Sequence, residues 1–306
     1  MTNFLVLLAA VAASAEPDAG WRQTPHSLAL LRGGQVVWQF DYKKDKGKPY
    51  FHPVTIAGSD PVTDLRPADH FWHKAIWFSW KTINGLLYWE EDPKTGKSPG
   101  VTEVVEAQAT PRDDQSARIE LTLSYHPPGQ PTVLAEKRIV EVSAPTAAGA
   151  YQIDWLSTFT AGDADVVLDR TPIAGEPNGV SWGGYAGLSL RLAPALRSWQ
   201  FSDSEGPVKD VTKQARWIAF SGPVKDSPAA AIVVLEHPTS FRHPTPWYLI
   251  PGMPYFSPAI LYRGPYTLPA KQSLTLKYRI LLQPAGADRD AIERQWQSFA
   301  ATGEKK

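Results

Sequence analysis

The chain has 306 residues, 43% hydrophobic and 20% charged, the composition of a globular protein able to bury a sizeable core. Its 31 basic and 31 acidic residues cancel, so there is no positive field of the kind that neutralises phosphates, and nucleic acid is not an expected partner. The absence of cysteine excludes a disulfide framework and thiolate chemistry.

Residues 1–15 read as a signal peptide: an apolar core from Phe4 to Ala12 runs into Ala13-Ser14-Ala15, small residues that precede Glu16. This predicts a periplasmic or secreted protein whose mature chain starts near Glu16. No other stretch approaches the roughly 20 apolar residues of a membrane-spanning helix, so no membrane partner is expected.

Beyond it, 28 prolines and 22 glycines cut the sequence into short apolar runs, the punctuation of many strands joined by turns. Strands are predicted at 27–31, 35–42, 75–80, 117–125, 137–143, 150–159, 166–168, 188–192, 216–221, 230–236, 259–262 and 273–282. Alternation is clearest in Arg118-Ile119-Glu120-Leu121-Thr122-Leu123 and in Leu274-Thr275-Leu276-Lys277-Tyr278, which gives each one buried and one wetter face. A single helix is predicted over 288–300, with Asp288 or Asp290 as N-cap and Ile292, Trp296 and Phe299 on one stripe. The Gly/Pro segments never gather into a linker, so the reading is one all-β domain over 16–306: a large antiparallel β-sandwich with a short C-terminal helix.

Three clusters carry the candidate chemistry. The first holds Tyr50-Phe51-His52-Pro53, Asp69-His70-Phe71-Trp72-His73-Lys74, Trp77-Phe78-Ser79-Trp80 and Asn84-Gly85-Leu86-Leu87-Tyr88-Trp89-Glu90-Glu91. Histidine exchanges protons near neutrality and a carboxylate can serve as its partner, which makes His70, His73, Asp69 and Glu91 candidate catalytic groups. Flat aromatic faces cover the C–H faces of sugar rings while Asn and His bond the hydroxyls, which adds His52, Trp80, Asn84 and Trp89 as candidate binding groups. Against this, Trp77, Phe78 and Trp80 lie in a strand-like run and suit a core. His70 and His73 would point to opposite faces of a strand, and only a turn or helical start brings them together.

The second cluster is Glu176-Pro177-Asn178-Gly179-Val180-Ser181-Trp182-Gly183-Gly184-Tyr185, with Glu176 a further catalytic candidate and Asn178, Trp182 and Tyr185 binding candidates. No helix with Lys-Ser/Thr follows its glycines, so phosphate cradling is not supported, and a glycine-rich turn feeding the next strand reads equally well. The third cluster runs Glu236-His237-Pro238 to Arg242-His243-Pro244-Thr245-Pro246-Trp247, with Tyr255 downstream. Arg242, His243, Trp247 and Tyr255 are its binding candidates, and a structural Glu236–Arg242 ion pair is the plainer alternative. His52, His70 and His73 are expected to line one cleft with the 242–247 loop.

Together these clusters resemble the bacterial PmoA-like family, also called methane oxygenase PmoA, whose function is unknown. The stretches that carry the resemblance are Phe51-His52-Pro53-Val54, Pro67-Ala68-Asp69-His70 with His73, Ile76-Trp77-Phe78, Gly183 to Arg191, Asp203-Ser204-Glu205-Gly206, Glu236-His237-Pro238, Arg242 to Trp247 and Tyr255 to Ala259. Where the family pattern has an Asp-His-Pro-His-His-Arg-Gly-like run, this chain has Trp72 for the middle histidine and Lys74 for the arginine. The resemblance implies a galactose-mutarotase-like sandwich and a place among sugar-degrading proteins.

The expected partner is a carbohydrate, and three readings stay open. In the first, an enzyme uses His70 or His73 with Asp69, Glu91 or Glu176 for hydrolysis, elimination or epimerisation, without a cofactor. In the second, a non-catalytic protein binds glycans on its aromatic face. In the third, His52, His70 and His73 hold a metal for oxygenase chemistry.

Overall fold

A computed structural model describes residues 19–44, 47–208, 214–224, 227–250 and 252–303. The expected signal peptide, 1–15, lies outside the described residues. Along the chain the strands are β1 (Ala19–Thr24), β2 (Ser27–Arg32), β3 (Gln35–Asp41), β4 (Tyr50–Val54), β5 (Ile76–Ser79), β6 (Thr82–Ile83), β7 (Leu86–Leu87), β8 (Val101–Pro111), β9 (Ala117–His126), β10 (Leu134–Val142) and β11 (Tyr151–Ala161). They continue with β12 (Val166–Asp169), β13 (Gly187–Arg191), β14 (Gln200–Asp203), β15 (Gly206–Pro207), β16 (Trp217–Val224), β17 (Ser227–Glu236), β18 (Trp247–Ile250), β19 (Met253–Pro258), β20 (Tyr266–Leu268) and β21 (Ser273–Gln283), followed by helix α1 (Arg289–Ala300).

The strands form an eight-stranded sheet in the order β1-β2-β3-β4-β5-β13-β19-β18 and a nine-stranded sheet in the order β15-β14-β16-β17-β21-β11-β10-β9-β8. A small third sheet has the order β20-β12-β6-β7. The main core lies between the two large sheets, with Trp38, Phe40, Phe51, Ile76, Phe78 and Leu190 from one and Ile119, Leu123, Trp155, Ile232 and Ile280 from the other. The fold is therefore the large antiparallel β-sandwich that the alternating runs predicted.

The helix forms where expected. The Asp288 side chain accepts from Ala291 N at 2.6 Å and so caps one of the orphan N–H groups of the first turn. Ile292 and Phe299 pack on Trp217, Ala231, Val233 and Leu281, the outer face of the nine-stranded sheet, with Trp296 partly buried beside them. That cover explains why Ala230 to Leu235 are buried at every position instead of every second one.

The predicted strand at 259–262 is instead a pair of turns, closed by Tyr262 N to Ala259 O at 2.9 Å and Gly264 N to Leu261 O at 2.9 Å. Ala259, Ile260 and Leu261 are buried all the same, and the strands are β18 and β19 just before. Strand β8 escaped prediction because its outward positions are occupied by Glu103 and Glu106, which mask the buried alternation of Thr102 and Val104.

Candidate functional site

The outer face of the eight-stranded sheet follows from strand parity. In β5, Ile76 and Phe78 enter the core, so Trp77 and Ser79 face out. In β13, Leu188 and Leu190 enter the core, which leaves Ser189 and Arg191 outside; in β18 and β19, Tyr248 and Tyr255 share the outer face. Register sets Tyr50 opposite Trp77, Trp77 opposite Ser189, and Arg191 opposite Tyr255. Trp77, Trp89, Tyr248, Tyr255 and Ala259 form a buried cluster there, with Tyr50, Trp72 and Tyr185 partly buried against it.

The loop between β4 and β5 lies against this cluster. Two successive turns, His70 N to Pro67 O at 3.1 Å and His73 N to His70 O at 2.8 Å, put the two imidazoles on one side. The rings stack at 4.7 Å between centroids, and His73 stacks on Tyr255 at 5.2 Å and leans on Trp77 at 5.0 Å. An antiparallel bridge between Leu65 and Lys74 closes the loop.

Asp69 anchors it to the sheet. Arg191 Nη2 donates to both Asp69 oxygens at 2.8 Å, and His70 Nδ1 lies 3.0 Å from Asp69 Oδ2. Partial burial works to raise the Asp69 pKa, but the bonds from His70 and Arg191 outweigh it and hold the carboxyl at about 2. Asp69 is thus an ionised carboxylate that orients an imidazole whose side chain is 35% exposed.

His73 differs. Burial, aided by the charges of His70 and Arg191, pushes it down to about 2, so it is neutral at neutral pH. Among the described residues its Nδ1 is buried without a hydrogen-bond partner, as are Nε and Nη1 of Arg191. An unfolded histidine takes up a proton near 6.5, so the unfolded chain binds more protons and stability falls as pH drops below that value. Asp69 adds to the loss lower down, because its stabilisation is complete above 3.8 and disappears as pH falls towards 2. The melting temperature is expected to fall from neutrality towards about pH 4, and His73→Phe to flatten that slope. Equal slopes in the two proteins would refute this account of His73.

Two ion-paired groups wall the aromatic face. On one side Glu91 receives Arg66 Nη1 at 2.9 Å, Lys74 Nζ at 3.1 Å and Lys48 Nζ at 3.4 Å. On the other, Lys81 Nζ contacts Glu90 Oε1 and donates to Tyr185 OH at 3.0 Å, while Tyr185 OH donates to Glu90 Oε1 at 3.3 Å. Trp182, 52% exposed, lies beside the cluster, where its carbonyl accepts from Tyr248 OH at 2.9 Å.

The structure gathers Asp69, His70, His73, Trp89, Tyr185 and Tyr255, with Trp182 beside them and Glu91 behind Trp89. His52 adjoins them through Thr63, whose Oγ1 is 2.9 Å from its Nδ1; burial lowers its pKa. Other expected site residues take different places. Trp80 and Trp247 fall on the inward parity and lie in the core, 0% and 2% exposed. Asn84 turns the β6–β7 hairpin at φ 51° and caps Val167 N at 2.8 Å.

Glu176 is held by Arg170 Nη2 and accepts from Ile173 N at 2.9 Å, so it fastens its own loop. Asn178 is exposed in that loop at φ 57°. The loop needs glycine at 183, where a Cβ would stand 2.1 Å from the Pro172 carbonyl oxygen. The cleft expected between the histidines and the 242–247 loop does not form. Arg242 donates to the carbonyls of Ile260, Gly264 and Pro265, and His243 Nδ1 sits 3.1 Å from Glu236 while its ring stacks on Trp296 of the helix. The alternative Glu236–Arg242 pair is therefore a Glu236–His243 pair.

The three-histidine metal reading has no geometric support. His70 and His73 present ring faces to each other, His52 is bonded to Thr63, and among the described residues no three His, Asp or Glu side chains converge on a point. Sequence reasoning missed Arg66, Lys48, Lys81, Arg191 and Tyr248 as site residues. Strand parity around Trp77 was the one signal that could have found Arg191 and Tyr248.

These features define a class: an antiparallel β-sandwich with a buried aromatic cluster, flanked by ion pairs, on the outer face of one sheet. Residues 27–297 match the model of a family described as a family of unknown function (DUF6807), and the chain belongs to that family. That description does not support the methane oxygenase naming that the sequence resemblance suggested. No curated protein matches the chain. The alpha-galactosidase from Lactobacillus brevis resembles it with a TM-score of 0.45 and 12% identity, over 92% of this chain and 41% of that one. The chain thus spans about two fifths of that protein's length.

Proposed function

We propose that the protein acts on a carbohydrate laid over the exposed edge of this aromatic cluster at His70, with the Asp69–His70 pair transferring a proton. The observation that carries the reading is the imidazole itself: Nδ1 is committed to Asp69 at 3.0 Å, which leaves Nε2 for a ligand, and the ring borders Trp72 and the His73–Tyr255 stack. Apolar ring faces with a few convergent polar groups suit a sugar.

Elimination or epimerisation fits better than hydrolysis by two carboxylates. Hydrolysis of that kind needs one protonated carboxylic acid opposite a second carboxylate. Here every nearby carboxylate is committed to cations: Asp69 to Arg191, Glu91 to Lys48, Lys74 and Arg66, Glu90 to Lys81, and Glu176 to Arg170. A non-catalytic glycan-binding role is the second reading, favoured by the exposure of Trp182 beside the cluster.

The test is a product screen of purified protein against bacterial and plant oligosaccharides, with and without chelator. An unsaturated or epimerised product, unaffected by chelator and lost in Asp69→Asn, is the expected result. Hydrolysis products that persist in Asp69→Asn would overturn the mechanism, and saturable binding without turnover would establish the second reading.

A further inference from the structure

Behind Trp89 lies a cavity of about 460 Å³ that the carbohydrate reading does not use. Its lining includes Lys44, Lys48, Glu91, Lys97, Glu103 and His126. Lys48 is 4% exposed, and its Nζ donates to the Trp89 carbonyl and lies 3.4 Å from Glu91 Oε1. A second ammonium, Lys74 Nζ, is 3.1 Å from the same oxygen, so two like charges share one carboxylate at the cavity wall. Glu103 pairs with His126 at 3.4 Å, while Lys44 and Lys97 line the cavity from exposed positions.

We infer that Lys48 is a nucleophilic amine, and that this cavity takes a small carbonyl compound with an anionic end, which condenses with Lys48 Nζ to an imine. Desolvation and a neighbouring cation are the two ordinary means of making a lysine nucleophilic, and both are present. Burial, with the charge of Lys74, brings Lys48 down to about 8 even though Glu91 works in the other direction.

Neutral Lys48 can keep its two N–H bonds, to Trp89 O and Glu91, and its lone pair is then left for the cavity. The lone pair adds to the carbonyl carbon as the C–O π bond breaks, and nitrogen passes one proton by way of solvent water to that oxygen, giving a carbinolamine. The second nitrogen proton follows by way of solvent water to the hydroxyl, which leaves as water as the C=N bond forms. Exposed Lys44 and Lys97 draw in the anionic end.

Reductive trapping tests this on the full chain. Glyoxylate is added with cyanoborohydride, which supplies hydride to the imine, and the modified lysines are mapped by peptide mass spectrometry from neutral to alkaline pH. The expected result is one dominant adduct, at Lys48, with a pH midpoint near 8. A pKa of about 8 rather than the usual 10.5 raises the unprotonated fraction near neutrality on the order of a hundredfold.

Lys81 and Lys277 are the internal controls, since burial lowers both and neither lines the cavity. Lys48→Arg should abolish the dominant adduct in protein that remains folded, and Lys74→Gln should move the midpoint upward. Adducts spread over exposed lysines, adducts at Lys81 or Lys277 in place of Lys48, an unreactive Lys48 in folded protein, or an unmoved midpoint in Lys74→Gln would each overturn the proposal. None of these readouts depends on sugar turnover, so the outcome is separable from the carbohydrate reading.

Discussion

His70→Ala is expected to lower turnover by about a hundred- to ten-thousand-fold, the usual cost of removing a positioned general acid or base. The melting temperature should hardly move. The side chain is 35% exposed and its one strong contact is Asp69, which keeps both bonds from Arg191 when the imidazole is gone. The loss is therefore on the order of one net hydrogen bond, about 1 kcal/mol. Asp69→Asn should lower turnover with His70 still present, because the amide orients the ring less well and carries no charge to stabilise the imidazolium. Near wild-type turnover in His70→Ala, with Trp80→Ala unfolding the protein from the core, would move the chemistry away from this histidine.

Glu136→Ala is expected to cost about 3–5 kcal/mol, a large share of the 5–15 kcal/mol by which a domain is ordinarily stable. Glu136 and Arg138 stand two apart on the inner face of β10, 0% and 1% exposed, between the two sheets. Glu136 accepts from Arg138 Nε at 2.7 Å and Nη2 at 2.9 Å, from Ser157 Oγ at 2.6 Å and from Tyr125 OH at 2.5 Å. The guanidinium lies over Trp155 at 4.7 Å and towards Phe78 of the opposite sheet at 5.9 Å.

Removing the carboxylate leaves a buried cation without its counter-charge, and that accounts for the size of the loss. Replacing both, as Glu136→Leu with Arg138→Met, should recover much of it, since an apolar pair of similar volume needs no counter-charge. Denaturant unfolding of the three proteins checks this. A single variant within about 1 kcal/mol of wild type would mean that water reaches the network.

Much of the architecture was legible because burial writes a period of two into strands. Residues 117–125 and 273–282 alternate so clearly that β9 and β21 were placed almost to the residue, and Asp288 announced the helix by its capping chemistry. The loop carrying Asp69, His70 and His73 stood out as a cluster of residue types that carry chemistry. The turn that brings the two histidines together did not, because the bonds that form it are made by the backbone.

The sequence alone determined that the chain folds as an antiparallel sandwich with a C-terminal helix and that His70, His73 and Asp69 belong to one segment. Tertiary structure decided which aromatics pack between the sheets and which pack on the outer face of one sheet. Trp77, Trp80, Trp247 and Tyr255 all sit in apolar runs, and only the pairing of β5, β13, β18 and β19 turns Trp77 and Tyr255 outward and Trp80 and Trp247 inward. It also decided the partners of charged groups far apart in sequence. Arg191 reaches Asp69 across 122 positions, and Lys48, Arg66 and Lys74 meet on Glu91. Such pairs leave no local pattern, since a charge at one position says only that a counter-charge or water must be found somewhere, and the fold determines where.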